Sequence, residues 1–349
     1  MAHSTPHWPK EMPENPVVAV AGATGAVGRE MLKTLEQRNF PAKRVIALAS
    51  ARSAGSKIEF NGPGNVDGYL VVEEMTEQSF EGVDIALFSA GGSVSEKFAP
   101  ACVAAGAVMI DNSSAFRMSP EVPLVVPEVN AADAYEHQGI IANPNCSTIQ
   151  MVVALNPLNK IAPIERVVVS TYQATSGAGA AAMQELYDQS GDFLAGKELH
   201  PEKFVHRIAF NCIPHIDVFL DDDSTKEEWK MVVETKKILH EPDIKVLATC
   251  VRVPVLRCHS EAVSVEFAQE VTVEAARAAF AQAEGITVVD NPAQNEYPMP
   301  ALLEGTDDTY IGRLRKDTTV AHGLAFWVVA DQLRKGAALN AVQIAELLL

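Results

Sequence analysis

VVAVAGATGAVG, residues 17–28, is the stretch that decides the fold. Five apolar residues run unbroken into Gly22, Gly25 and Gly28. An apolar run of that length, stopped by glycine, reads as a strand buried on both faces. Behind it, GREMLKTLEQR (28–38) carries apolar residues at helical spacing. A strand that turns through glycines into a helix gathers free N–H groups and the positive helix end at one point, which suits a pyrophosphate. The spacing is GxxGxxG, not GxGxxG, and a glycine cluster alone also fits a plain turn. Its place at the end of the first strand of a βαβ unit favours nucleotide binding.

The same pattern repeats outward. RVIALAS (44–50), DIALFSA (84–90), AVMID (107–111) and GIIA (139–142) read as further buried strands, and VSEKFAPACVAAG after Gly91-Gly92 reads as a helix. Apolar strands alternating with helices imply a parallel sheet covered on both faces. An NAD site wants a carboxylate at the end of the second strand. ALASARSAG offers Arg52 and Ser53 instead. A guanidinium and a hydroxyl suit the 2′-phosphate of NADP, with an exposed surface arginine as the alternative.

The second half reads as a mixed α+β domain whose sheet has one open face. Val263, Val265 and Phe267 alternate with Ser264 and Glu266, and LAFWVVA (324–330) is another strand. Helical segments fall near 177–190, 225–239 and 273–283, and the final DQLRKGAALNAVQIAELLL reads as an amphipathic helix. The fold class expected is α/β: a Rossmann-type dinucleotide-binding domain, 16–146 plus 331–349, and a second domain, 147–330, for catalysis and dimerisation. MAHSTPHWPKEMPENP has four prolines and no apolar centre, so residues 1–15 are expected to form a loose tail, not a signal peptide.

Composition narrows the function. A net charge of -17 repels nucleic-acid backbones. No apolar run approaches the roughly 18 residues of a membrane span. Five cysteines at scattered positions suit a reducing cytoplasm rather than a disulfide framework. No Cys or His pair matches a second pair, so no metal is expected. That leaves Cys146, in NPNCSTIQM (143–151), as a buried filler or a nucleophile. MVVALNPL behind it is apolar at helical spacing, which places Cys146 at a helix N-terminus where dipole and N–H groups favour a thiolate and a developing oxyanion.

GATGAVG, SARSAG, DNSSAFRM, NPNCST, TYQATSGAG, TKEEWK and CVRVPVLRCHS occur in that order, and on them the chain resembles the aspartate-semialdehyde dehydrogenase family along nearly its whole length. N-acetyl-γ-glutamyl-phosphate reductases and glyceraldehyde-3-phosphate dehydrogenases run related chemistry, but their local text around the cysteine differs from NPNCST. A nucleotide-binding redox sensor would need only the glycine loop and a thiol. The resemblance implies a cytoplasmic homodimer that interconverts 4-aspartyl phosphate and L-aspartate 4-semialdehyde with NADP(H) and inorganic phosphate, in the biosynthesis of lysine through diaminopimelate, methionine and threonine.

It also implies roles. Cys146 forms the acyl thioester, His259 is the acid–base residue, and Gln173 orients the intermediate. Arg252 binds the substrate α-carboxylate through its planar fork. Glu227 faces the substrate amino group, although Ser224-x-x-Glu227 also has capping-box spacing. Arg117, Lys230 and Asn145 meet phosphate. The cofactor is expected against Gly22, Thr24, Gly25, Ala26, Val27, Arg52, Ser53, Ser89, Gly91, Ser176, Gly177 and Gln332. Strict alternation through VRVPVLRCH puts Arg252 and His259 on opposite faces of one strand, so a shared pocket is expected to need a bulge or turn near Pro254.

Overall fold

The computed structural model describes residue 8 and residues 10–349. It divides into two compact units, one made of the described residues up to Asn145 with Ala337–Leu349, the other of Cys146–Gly336.

In the first unit β1 (Val17–Ala21) leads through the glycine loop into α1 (Ala26–Gln37) and β2 (Arg44–Ala49). A hairpin of β3 (Lys57–Glu59) and β4 (Tyr69–Val71) precedes the short β5 (Glu73–Glu74). Then come β6 (Ile85–Phe88), α2 (Gly92–Ala104), β7 (Val108–Asp111), α3 (Pro127–Asn130) and β8 (Ile140–Ala142). The sheet order is β5-β2-β1-β6-β7-β8, with every pairing parallel. The four strands read from the apolar runs after residue 43, and β1 before them, are all present. Val18 and Val20 point into a core shared with Met31, Leu32 and Leu35 of α1, while Ala19 and Ala21 point into one shared with Phe98 and Cys102 of α2. That two-sided burial is why β1 is apolar at every position. Chain order reverses at β1, whose neighbours are β2 and β6, so the crevice beyond its carboxyl end opens at Gly22.

The second unit contains α4 (Cys146–Asn159), β9 (Ile164–Gln173), α5 (Ala180–Leu194), α6 (Lys226–Leu239), β10 (Lys245–Arg252) and β11 (His259–Phe267). α7 (Val273–Gln282), β12 (Ile286–Val288), α8 (Pro300–Leu303), β13 (Thr309–Asp317) and β14 (Gly323–Ala330) follow. Its sheet runs β10-β9-β11-β14-β13-β12. β10 is parallel to β9, and β11 and β14 alternate antiparallel beside them. One face is core, where Val167, Val169, Val263, Val265 and Phe326 meet Met151 and Leu155 of α4, Met231 of α6 and Phe280 of α7. The other face is open: Leu247 is 59% exposed and Tyr172 38%. The Tyr172 and Trp327 rings pack there at 5.3 Å.

Three expectations are corrected. The stretch 331–349 is not one amphipathic helix. Residues Arg334–Ala338 form a π-helical turn, α9 begins at Leu339 and runs to Leu347, and almost the whole stretch is buried. Residues 331–336, expected with the dinucleotide domain, belong to the second unit. The loose tail expected over residues 1–15 does not hold for Trp8, Lys10 and Met12. Residues 1–7 and 9 lie outside the described residues, but Trp8 and Met12 pack on the first unit's core, and Lys10 Nζ donates to Asp84 Oδ1 at 3.2 Å and to the Gly106 carbonyl at 3.1 Å.

Candidate active site

Arg252 and His259 lie on different strands, not on two faces of one. Residues 253–258 loop out of β10 and return as β11 on the far side of β9, and Cys258, at φ 71°, makes the return. Register then aligns them. Arg252 pairs with Gln173. Ser260 pairs with Tyr172, which sets His259 opposite Gln173 one residue on. Arg252, Gln173 and His259 thus form a row across three strands, on the face that α4 and α6 cover. No bulge is involved; the interruption is a turn, the loop 253–258 with Pro254 in it, which carries the chain across β9.

Each member of the row is held. The Arg252 backbone bonds Ile213 in both directions, at 2.8 and 2.9 Å, and its Nη1 donates to the Ala174 carbonyl at 2.7 Å. Gln173 Oε1 accepts from Thr171 Oγ1 at 3.0 Å, and its Nε2 donates to Glu227 Oε1 at 3.1 Å. His259 is fully buried, and its Nδ1 accepts the Ala174 N–H at 3.0 Å. That bond fixes the neutral tautomer with the proton on Nε2. Burial, and then the Arg252 charge, hold the imidazole well below its ordinary pKa, with a backbone contact at Cys258 pulling weakly the other way. The Nε2 atoms of His259 and Gln173 stand 3.5 Å apart. Both carry hydrogen, so they present two donors to one point instead of bonding each other. That is the arrangement an oxyanion requires.

Cys146 is the first residue of α4 and is half-buried. Arg252 senses its sulfur: burial lowers the guanidinium pKa, and Glu227, then Cys146, oppose that only in part. Gly336 backs the thiol: a Cβ there would stand 2.9 Å from Cys146 Cβ. Gly177 covers the row in the same way, since a Cβ would come within 2.9 Å of Arg252 Nη1 and 3.1 Å of His259 Nε2. Ser176 and Gln332 are both buried and bonded to one another, and Gln332 Oε1 also accepts the Cys258 N–H at 2.8 Å.

α6 brings Glu227 and Lys230 to this unit. Its capping box is Thr225 with Glu228, at 3.3 and 2.7 Å, not Ser224 with Glu227. Glu227 is therefore excused from capping, lies buried, and shares Lys230 Nζ at 3.1 Å with Asp217, at 2.7 Å. Burial depresses the Lys230 pKa, but Glu227 and Asp217 outweigh it and the net shift is upward. Thr171, Gly336, Asp217 and Glu228, whose Oε1 accepts the Cys250 N–H at 3.0 Å, are additional to the expected set. Only strand register and helix phase bring them here, and neither leaves a local motif.

The other expected residues belong to the first unit. Arg117 is buried, its Nε and Nη2 donating to the Asn143 and Asn112 carbonyls at 2.9 and 2.8 Å. Asn145, also buried, is the last residue before α4. The glycine loop fits a pyrophosphate. Gly25 is the N-cap of α1, no side chain caps that helix, and its first turn has no acidic residue, so the first-turn N–H groups of Ala26 and Val27 face outward unclaimed by a cap. A Cβ at Gly22 would strike the Ser89 carbonyl, and one at Gly28 the Gly22 carbonyl. Thr24 offers its carbonyl to Arg29 Nε at 3.2 Å. Gly91, at φ 93°, is the N-cap of α2. Arg52 and Ser53 form a 3-10 turn directly after β2, with Arg52 exposed. Among the described residues no group of three His, Cys, Asp or Glu side chains is disposed to hold a metal.

Comparison with known proteins gives the family. Residues 17–137 match the family model described as semialdehyde dehydrogenase, NAD binding domain, and residues 155–335 the model for the semialdehyde dehydrogenase dimerisation domain. The aspartate-semialdehyde dehydrogenase of Aquifex aeolicus is 57% identical over 334 residues, 95% of this chain and 97% of that protein. That of Bacillus subtilis is 55% identical over 337 residues, 94% and 96% of the two chains. The crystal structure of aspartate semialdehyde dehydrogenase II complexed with ASA from Vibrio cholerae superposes with a TM-score of 0.92 at 47% identity, covering 96% of this chain and 98% of that one. The Candida albicans enzyme with NADP superposes at 0.73 and 25% identity, covering 96% and 98%. The chain belongs to the aspartate-semialdehyde dehydrogenase family.

Proposed function

We propose that the chain catalyses the NADP-dependent, reversible reductive dephosphorylation of 4-aspartyl phosphate to L-aspartate 4-semialdehyde and inorganic phosphate, serving lysine, methionine and threonine biosynthesis in the cytoplasm. The observation that carries it is the row of Arg252, Gln173 and His259 in the unit whose first helix begins with Cys146. The free thiols of all five cysteines suit a reducing compartment, and no helix among the described residues is long and apolar enough to cross a membrane.

In the reductive direction the Cys146 thiolate attacks the acyl carbon and phosphate leaves with the bonding electrons, giving a thioester. Bound NADPH supplies hydride. The Nε2–H groups of His259 and Gln173 hold the carbonyl oxygen as charge builds on it, and His259, as the acid–base residue, can share its Nε2 proton with that oxygen and take it back on collapse. Collapse returns the electrons to sulfur, a good leaving group, and frees the aldehyde. Arg252 takes the substrate α-carboxylate and Glu227 its amino group. Lys230 and Arg117 receive phosphate, with Asn145 as a further donor, and Lys230 must exchange one of its two carboxylates to do so. The glycine loop, Ser89 and Gly91 hold the cofactor, with Arg52 and Ser53 at the 2′-phosphate and Ser176, Gly177 and Gln332 toward the nicotinamide. The open face of the second sheet docks the second protomer.

The test is NADPH absorbance with aspartate semialdehyde, NADP and phosphate. Turnover that depends on phosphate and vanishes in Cys146→Ala is expected; an intact chain that forms no phosphate-dependent NADPH overturns the reading.

A further inference from the structure

Beneath the row of Arg252, Gln173 and His259 lies a second row on the same face. Cys250 pairs with Thr171, and Thr171 with Glu261. Glu261 is fully buried, two residues along β11 from His259. Neither of its carboxyl oxygens has a hydrogen-bond partner among the described residues. α4 covers this point with Gln150, also fully buried, whose Oε1 lacks a partner too. Gln150 Nε2 reaches the His259 carbonyl at 3.4 Å.

With Gln150 Nε2 turned to the His259 carbonyl, the amide oxygen and the Glu261 carboxyl complement each other only when the acid is protonated. A carboxylate and an amide oxygen are both acceptors; a carboxylic acid has one O–H to donate. An ionised carboxylate without donors in a dry site is far costlier than a neutral acid. Burial drives the Glu261 pKa well above its ordinary value, and the nearby Gln150 amide opposes this only in part. The titratable groups facing it are His259 on its own strand and Cys250 on β10; β9 contributes Thr171, α4 contributes Gln150 and β14 contributes Val328. None supplies a positive charge, since burial and Arg252 keep His259 neutral.

Helix and strand keep step here. Four residues of helix rise about 6 Å, and two residues of strand about 6.7 Å. Cys146 and Gln150 are one turn apart on the same face of α4, as His259 and Glu261 are one repeat apart on β11. We propose that Glu261 is a positioning residue for the reaction: as a neutral carboxylic acid it donates to Gln150 Oε1 and pins the first turns of α4, so that Cys146 is held in place relative to His259 and Gln173. This rests on the functional reading above for its consequence, though not for its chemistry.

Three measurements test it. Difference infrared spectra of wild type against Glu261→Gln at neutral pH should show the loss of a carboxylic-acid C=O band; loss of a carboxylate band overturns the proposal. Glu261→Met, which keeps the volume and removes the bond, should lower kcat about tenfold or more with little change in KM. It should slow iodoacetamide labelling of Cys146, read by peptide mass because Cys212 is also exposed, by a similar factor. Glu261→Gln, which retains a donor and an acceptor, should recover most of both losses, and adding Gln150→Met to Glu261→Met should cost little more. Labelling and kcat unchanged in Glu261→Met overturn the proposal. If the wild type shows no phosphate-dependent turnover, the functional reading fails, while the infrared and labelling results still decide Glu261.

Discussion

Arg252 illustrates how much a single residue depends on its neighbours. Its fork is useful to a carboxylate only because Ile213 clamps its backbone and the Ala174 carbonyl holds one nitrogen. Arg252→Lys keeps the charge and loses the bidentate geometry, so the KM for aspartate semialdehyde should rise about tenfold or more; steady-state kinetics with an unchanged KM would remove Arg252 from that role. The buried histidines make a separate prediction. His137, beside Trp8, is pushed down to about 4 by burial, and His259 is held well below 6.5. Both are neutral when folded. At these two sites the unfolded chain takes protons first as pH falls below about 6.5, which lowers stability; Glu261, kept protonated in the fold, works the other way over the same window, but it is one group against two. The melting temperature should be lower at pH 5 than at pH 7, and His137→Gln should narrow the gap. Arg252 and His259 stand out in local text and His137 does not, nor do the partners that tune the site: Thr171, Gly336 and Glu261 carry no motif and reach it only through register and helix phase.

At the level of elements, legibility followed burial chemistry. Strands β1, β2, β6, β7 and β8 of the first unit show as apolar runs because both faces are covered, whereas β3, β4 and β5, largely exposed, do not. β9 and β10 do not, because their inward positions near the site include Thr171, Gln173 and Arg252, which break apolar alternation where the site begins. The place of β9 between Arg252 and His259 is a matter of strand order, which no local pattern encodes. α6 was placed correctly by its periodicity, yet its cap lies one residue beyond the expected serine. Thr225→Ala should cost about 1 kcal/mol of stability in denaturant melts, whereas Ser224→Ala should have little effect on α6, since the Ser224 hydroxyl bonds Asp222 instead. An equal loss at both positions would reject this capping assignment.

For the whole molecule, the sheet of the second unit has two occupations. Val251, Tyr172 and Ser260 lie on its open face, each adjacent along its strand to Arg252, Gln173 or His259 on the covered face. Half-buried Ala262 lies in the middle of the open face. Ala262→Arg should place an unpaired charge in the dimer contact and shift the protein to monomers in sedimentation or size-exclusion measurements at low concentration; an unchanged dimer would place the contact elsewhere.

This alternation also guards against misassembly. If β9 paired one residue out of step, Tyr172 would enter among the reactive groups and Gln173 would turn outward. A mispaired chain would be chemically inert and a poor partner at once. With the proposed dimer contact on the open face, pairing of two protomers would select for correctly threaded strands and leave this folding error out of the assembled enzyme.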